Sequence, residues 1–248
     1  MVQFGVCHQE RNRFAIDKYL TANTMEVTEH LRGIVRNEGG FPLSDEILNR
    51  FLRCGKEVVL GKEEYIIKPG TFDQSIWITA RGVTKAIYDD GNQQHVLGFS
   101  GIGTISLSPL CYVLGRNAFC GFQTITECEM IKIVKEDFDR LLTTSTEFAR
   151  WMFGVMIGQY CALELKTQML NESDATTRFK AIVKRQMKLD SEGFDPNRPD
   201  LLSLISSKDL ASYLGITQSY LSNIRKAIFD EERNAGEYGR GKVRERRE

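Results

Sequence analysis

Residues 206–228 read SSKDLASYLGITQSYLSNIRKAI, and this stretch decides the architecture. The pattern is two short helices joined by a tight turn. Ser206 is placed to cap the first helix, with Asp209 in the reciprocal capping-box position. Leu210, Ala211 and Leu214 form an apolar face. Gly215 fits the left-handed position that ends a helix, because it has no Cβ to clash. Ile216 fills the turn and Thr217 can cap the second helix. Leu221 and Ile224 then face the first helix, while Gln218, Ser219, Ser222, Asn223 and Arg225 face outward. This is the layout of a helix-turn-helix whose second helix enters the major groove of DNA. A merely solvated face of a helical hairpin would more often carry Lys and Glu than these small and amide side chains.

Working back toward the N-terminus, LDSEGFDPNRPD is a polar loop rich in turn formers, and Ser173-Asp174 opens the helix before it. A long helix is predicted from about Thr146 to Asn171. Its residues Phe148, Trp151, Val155, Gly158, Ala162, Leu165 and Met169 recur at alternating steps of three and four, the spacing of a coiled-coil seam. Met152, Phe153, Met156, Ile157 and Tyr160 make a second apolar face. A helix apolar on two faces has two things to pack against. One is the body of its own chain and the other a second copy, and the seam is assigned to the copy because Gly158 and Ala162 permit close approach.

Between Lys56 and Val134 the period changes to that of strands. EVVL, EYIIK, SIWIT, VTKAIYDD, HVLGFS, GTISLS, FCGFQTIT and EMIKIV are short β-rich runs. Gly61-Lys62, Pro69-Gly70, Arg81-Gly82 and the hairpin signal Asp89-Asp90-Gly91-Asn92 separate them. Eight short strands at this spacing predict a β-barrel or jelly roll. KEDFDRLL forms a short helix behind them, and PLSDEILNRFL a helix before them, opened by Pro42 and Ser44. A further helical stretch lies around Met25–Arg36. The final residues, RNAGEYGRGKVRERRE, lack apolar content and periodicity and read as a disordered tail.

With Lys+Arg and Asp+Glu at 33 each, formal net charge is zero. A uniformly basic coat is excluded, although a DNA-facing surface needs only local Lys and Arg to displace phosphate counterions. No run approaches the ~18 apolar residues of a membrane helix, and the start lacks a signal pattern. A cytoplasmic location without membrane contact is the expectation. The six cysteines form no CxxC pair and no Cys/His cluster of zinc spacing, so they read as small buried hydrophobes. His8, His30 and His95 are isolated, and no metal is expected. No Ser-His-Asp, HExxH or catalytic carboxylate pair is evident, which argues against an enzyme.

Barrel, long helix and small helix-turn-helix, in that order, resemble the CRP/FNR family of bacterial transcription regulators over about Pro42 to Phe229. The segments YIIKPGTFDQSIWITARGVTKAIYDDGNQQ, ITECEMIKIVKEDFDRLL and ASYLGITQSYLSNIRK carry the resemblance. It implies an α+β chain, organised as an N-terminal extension (1–40), a cyclic-nucleotide-binding-like effector barrel (41–145), a dimerisation helix (146–171), a winged helix-turn-helix (172–232) and the tail (233–248). It also implies a homodimer on a two-fold-symmetric DNA operator, with RNA polymerase a candidate further partner. Carried over by position, Gln218, Ser219 and Asn223 are base readers with Ser222 close by, and Thr217, Tyr220 and Arg225 are phosphate contacts. Tyr220 packing on its neighbour helix is the alternative.

The effector stretch GFSGIGTISLSPLCYVLGRNAFC departs from the family. The family places a Gly-Glu pair on the ribose and an Arg on the cyclic phosphate. Here Gly101-Ile102-Gly103-Thr104 carries no acid. Arg116 reaches the phosphate position only after a two-residue loop shift, and otherwise is a surface arginine. The cyclic nucleotide is therefore doubtful and the cofactor stays open. Phe99, Gly101, Gly103, Arg116 and Phe119 are the effector-pocket candidates. Phe99, Tyr112, Phe119 and Phe122 line an apolar cavity or simply pack the core.

Overall fold

Alternation along the strands decides how residues 56–133 stack. In the computed structural model, which describes residues 24–172, 174–192 and 201–228, eight strands form two four-stranded antiparallel sheets. They are β1 (Lys56–Leu60), β2 (Tyr65–Ile67), β3 (Ile76–Arg81), β4 (Thr84–Asp89), β5 (Gln94–Ser100), β6 (Ile105–Ser106), β7 (Cys120–Thr124) and β8 (Cys128–Ile133). The orders β1-β8-β3-β6 and β2-β7-β4-β5 are those of a jelly roll. The Asp89–Asn92 signal makes the β4–β5 hairpin, with the Asp90 carboxylate accepting from the amides of Asn92 and Gln93. His95 bonds the same carboxylate and holds it down to about 2.

The sheet β1-β8-β3-β6 is apolar on both faces. Ile76, Ile78, Ile105 and Ile133 join a cluster built with the helices. Trp77, Cys128 and Met130 point the other way and pack with Ile66 and Ile67 of the second sheet. Three helices supply the first cluster's other half: α1 (Thr24–Asn37), α2 (Asp45–Arg53) and, after α3 (Pro109–Leu114), α4 (Lys135–Thr144). The long helix α5 (Thr146–Glu172) completes it. Phe51 of α2, Phe138 of α4, and Phe148 and Trp151 of α5 pack ring on ring, with centroids 4.9 to 6.0 Å apart.

The segment 24–44 is part of this core. Leu31 and Val35 of α1 are buried in it, and Trp151 Nε1 donates to the Val35 carbonyl at 3.0 Å. The Ser44 amide and hydroxyl both donate to Glu147. Beside them Gly39 and Gly154 touch backbone to backbone; a Cβ on Gly154 would lie 1.8 Å from the Gly39 oxygen. Neither position tolerates a side chain without parting the two segments.

Helix α3 was not anticipated by the strand reading. Its signals are nevertheless present: Ser108 caps it through the Cys111 amide, Pro109 opens it, and Gly115 closes it in the left-handed region at φ 61°. Of the cysteines, Cys111 and Cys128 are buried as expected, Cys54 and Cys120 only half-buried, and burial pushes the Cys128 thiol up. Cys161 departs from the expectation and lies exposed on α5, while Cys7 is outside the described residues. No described helix is long and apolar enough to cross a membrane.

Candidate nucleic-acid interface

After α5 come α6 (Ala175–Glu192), α7 (Leu201–Leu204), α8 (Ser207–Leu214) and a last helix over 218–228, here α9. The Asp174 carboxylate accepts from the amides of Thr176 and Thr177 and so starts α6. Ser206 Oγ accepts the Asp209 amide at 3.0 Å and donates to the Asp209 carboxylate at 2.9 Å, closing the start of α8. Gly215 sits at φ 68°, and the Ile216 amide bonds back to the Ala211 carbonyl at 3.0 Å. The chain thereby reverses within three residues. Thr217 Oγ1 then accepts the Tyr220 amide at 3.2 Å and starts α9.

Leu221 and Ile224 of α9 are buried against Leu210, Ala211 and Leu214 of α8, with Ala175, Phe179 and Ile205 beneath. Burying each such side chain contributes about 1.5–3 kcal/mol, so this small core fixes the angle between the helices. Gln218, Ser219, Ser222 and Asn223 lie together on the exposed edge of α9. The Ser222 hydroxyl already donates to the Gln218 carbonyl at 3.1 Å, leaving its lone pairs outward. Thr217 is exposed, and Tyr220 keeps about half of its surface open at 49%.

Arg225 stands apart from that edge. Its Nη1 donates to Ser207 Oγ at 2.9 Å and its guanidinium lies 6.0 Å from the Phe179 ring. It braces the start of α8 against α9. Lys208, Arg225 and Lys226 are the exposed cations on these two helices. Residues 229–248, the end of the predicted helix-turn-helix domain and the tail, lie outside the described residues.

The α8–α9 pair is seated on the barrel. Lys85 of β4 forms a 2.8 Å ion pair with Asp209, with both side chains largely buried. The Val96 amide of β5 donates to Ser212 Oγ at 2.9 Å. Phe99 meets the Tyr213 ring at 5.2 Å, and Val83 and Ile125 join the same apolar cluster. Lys166 of α5 reaches into the junction, donating to the carbonyls of Val96 and Leu97 at 2.8 and 2.9 Å beneath the Tyr213 ring.

Burial pulls the Lys166 ammonium below the ordinary lysine range, to about 8. The folded chain therefore gives up this proton before the unfolded chain does. Between about pH 8 and the ordinary lysine value of ~10.4 the unfolded state binds more protons at this site, so the contribution of Lys166 to stability should rise with pH across that window. Denaturant titrations of the parent and of Lys166→Met check this, because the variant should lack that part of the rise.

The seven seam residues of α5 divide between two environments. Phe148, Trp151 and Val155 are buried in their own chain's core, so they are not free to meet a second copy. Gly158, Ala162 and Leu165 are exposed and Met169 half-buried. The apolar face left uncovered carries Phe153, Ile157, Tyr160 and Leu165. Alternating steps of three and four found a real stripe, but the barrel takes its first half.

The five effector-pocket candidates do not converge. Phe99 packs on Tyr213, and Gly103 abuts Ile34 of α1. Gly101 lies in the turn before β6, where its carbonyl accepts the Thr104 amide at 3.2 Å. Helix α3 separates these glycines from Arg116, which is exposed, and from Phe119, which stacks in the open on Tyr88 at 5.6 Å. Of the other aromatics, Tyr112 bonds Asp139 and meets Phe138 edge-on, while Phe122 packs between the sheets.

No protein-family model matches the sequence, and no curated protein matches it. Solved structures do match in fold. The c-di-GMP-responsive global regulator CLP of Xanthomonas campestris superposes with a TM-score of 0.62 at 17% identity, covering 76% of this chain and 93% of that one. FixK2 from Bradyrhizobium japonicum gives 0.61 at 14%, over 72% and 86% of the two chains. A CooA variant from Carboxydothermus hydrogenoformans gives 0.59 at 16%, over 77% and 88%. These neighbours are CRP/FNR family regulators, and the chain shares their fold.

Proposed function

We propose that this chain is a sequence-specific DNA-binding transcription regulator acting as a homodimer. The observation that carries the reading is the exposed edge of α9. Gln218, Ser219, Ser222 and Asn223 project from a helix whose opposite side is fixed by Leu221 and Ile224. Gln and Asn each offer a donor and an acceptor side by side, the geometry that pairs with an adenine edge in the major groove. Thr217, Tyr220 and Lys226 flank the edge and suit phosphate oxygens, which position the helix without specifying sequence. Arg225, held by Ser207, acts by positioning α9.

One such helix per protomer reads one half of a palindrome, with half-sites about one turn of DNA apart. The second copy is taken up on the free face of α5, where Phe153, Ile157 and Tyr160 await cover. The reading requires no bound ligand, in keeping with the scattered effector-pocket residues.

Selection of binding sites from a random duplex pool, using purified full-length protein, tests this. A palindrome rich in A·T at the base-reading positions is expected. The selected site should bind with an affinity that falls steeply with salt, by about 0.9 in log–log slope per phosphate contacted. No enriched site from a folded dimer would overturn the reading.

A further inference from the structure

We propose that the β4–β5 side of the barrel is an intramolecular docking surface for the α8–α9 pair, and that the docked arrangement restrains DNA binding until the Lys85–Asp209 contact opens. The proposal rests on the DNA-binding reading above. Strand β5 is the edge of its sheet, in the order β2-β7-β4-β5. Edge strands carry backbone groups with no strand to pair them. Here those groups are taken by the seat itself: the Val96 amide by Ser212, and the Val96 and Leu97 carbonyls by Lys166. Helix α8, through Ser212, and α5, through Lys166, thus close together an edge that otherwise stands open.

The ion pair makes the seat an all-or-none contact. Lys85 and Asp209 are 9% and 16% exposed at 2.8 Å separation. Neither charge is well solvated alone, so separating them requires both to hydrate together. Asp209 is also bonded by Ser206, so the same carboxylate caps α8 and pins it to the barrel. Phe99 and Lys166 grip Tyr213 from two sides.

The seated position is unfavourable for a duplex. A cleft of about 1040 Å³ separates the β4–β5 hairpin from the start of α9. Thr217 and Gln218 line one wall, and the same cleft holds Glu63, Asp89, the paired Lys85 and Asp209, and Lys208. To sit in a major groove about 12 Å wide, a recognition helix needs phosphates along both flanks. On the hairpin flank those phosphates would run into the barrel itself at Gly91 to Gln94, so the obstruction is steric. Ser219, Ser222 and Asn223 stay open, so the seated pair offers only part of its edge.

The test uses changes on the barrel and α5 that leave α8 and α9 untouched. In full-length Lys85→Glu, a carboxylate faces Asp209 and should release the pair. Hydrogen exchange of the Val96 amide and of the 210–214 amides should then speed up, and affinity for the selected duplex should rise about tenfold, as expected if the seated form is roughly nine-tenths of the population. The gain would come although the substitution adds negative charge near DNA. Lys166→Met, which has no N–H to donate, is the second variant, releasing Tyr213 and the β5 carbonyls should Lys85→Glu fail to fold. Faster exchange with unchanged or weaker duplex binding would overturn the restraint. Unchanged exchange in both variants would overturn the docking surface. Faster exchange in proteins that bind no duplex at all would overturn the DNA-binding reading and the restraint with it, while the docking surface stands.

Discussion

Trp151→Ala should abolish or nearly abolish the folded barrel. The indole is fully buried, stacks on Phe148 at 5.4 Å, meets Phe51 at the same distance edge-on, and donates its only N–H to the Val35 carbonyl. Truncating a core Trp costs about 3–5 kcal/mol, and leaving the Val35 carbonyl without its donor adds ~1–3 kcal/mol. Together these approach the whole stability of a marginal domain, ~5–15 kcal/mol. Trp151→Phe separates the two contributions. It keeps most of the apolar volume and loses the bond, so the hydrogen-bond loss dominates its smaller effect. Denaturant midpoints for the parent and both variants measure this. Equal losses in the two would mean that the N–H···O contact, and not packing, carries the stability.

Replacing Gln218 and Asn223 together with Ala should relax base preference while leaving non-specific binding nearly intact. Each bidentate pairing discriminates against the wrong base by ~1–3 kcal/mol. Two pairings amount to ~2–6 kcal/mol, or at least about thirtyfold in the ratio of specific to non-specific affinity. Neither side chain helps hold the fold, since both lie on the exposed edge of α9. Competition of the selected palindrome against a scrambled duplex at fixed salt reads the ratio. If both affinities fell equally, the two residues would be contacting backbone, and the base readers would have to be sought elsewhere on α9.

The strands, the hairpin at Asp89–Asn92 and the α8–α9 turn were legible because each rests on a local signal: β-branched runs, turn residues and caps. What was not legible is which surface covers a given apolar stripe. The α5 pattern picked out Phe148, Trp151 and Val155 correctly as one face, but spacing cannot say whether a barrel or a second copy lies against it. The same holds for Arg225, whose charge suits a phosphate and whose partner is Ser207. Helix α1 was read as a helix within an extension, because Leu31, Ile34 and Val35 are too few to announce a core face. Its burial follows from the Gly39–Gly154 approach and the Trp151 bond, both made across more than a hundred residues of chain.

That separation bears on the order in which the protein can assemble. Val35 and Trp151 are 116 residues apart, and Ser44 and Glu147 are 103 apart. Contacts of such sequence distance close late, because the entropy of the intervening loop is lost before they repay it. A chain emerging from the ribosome therefore displays all eight strands while their helix-facing isoleucines, Ile76, Ile78, Ile105 and Ile133, still lack the α5 rings that cover them. Only when α5 has been made can the first and last parts of this core meet. In folding terms the long helix belongs to the barrel before it belongs to any dimer, and its first two turns are the clasp that shuts the domain.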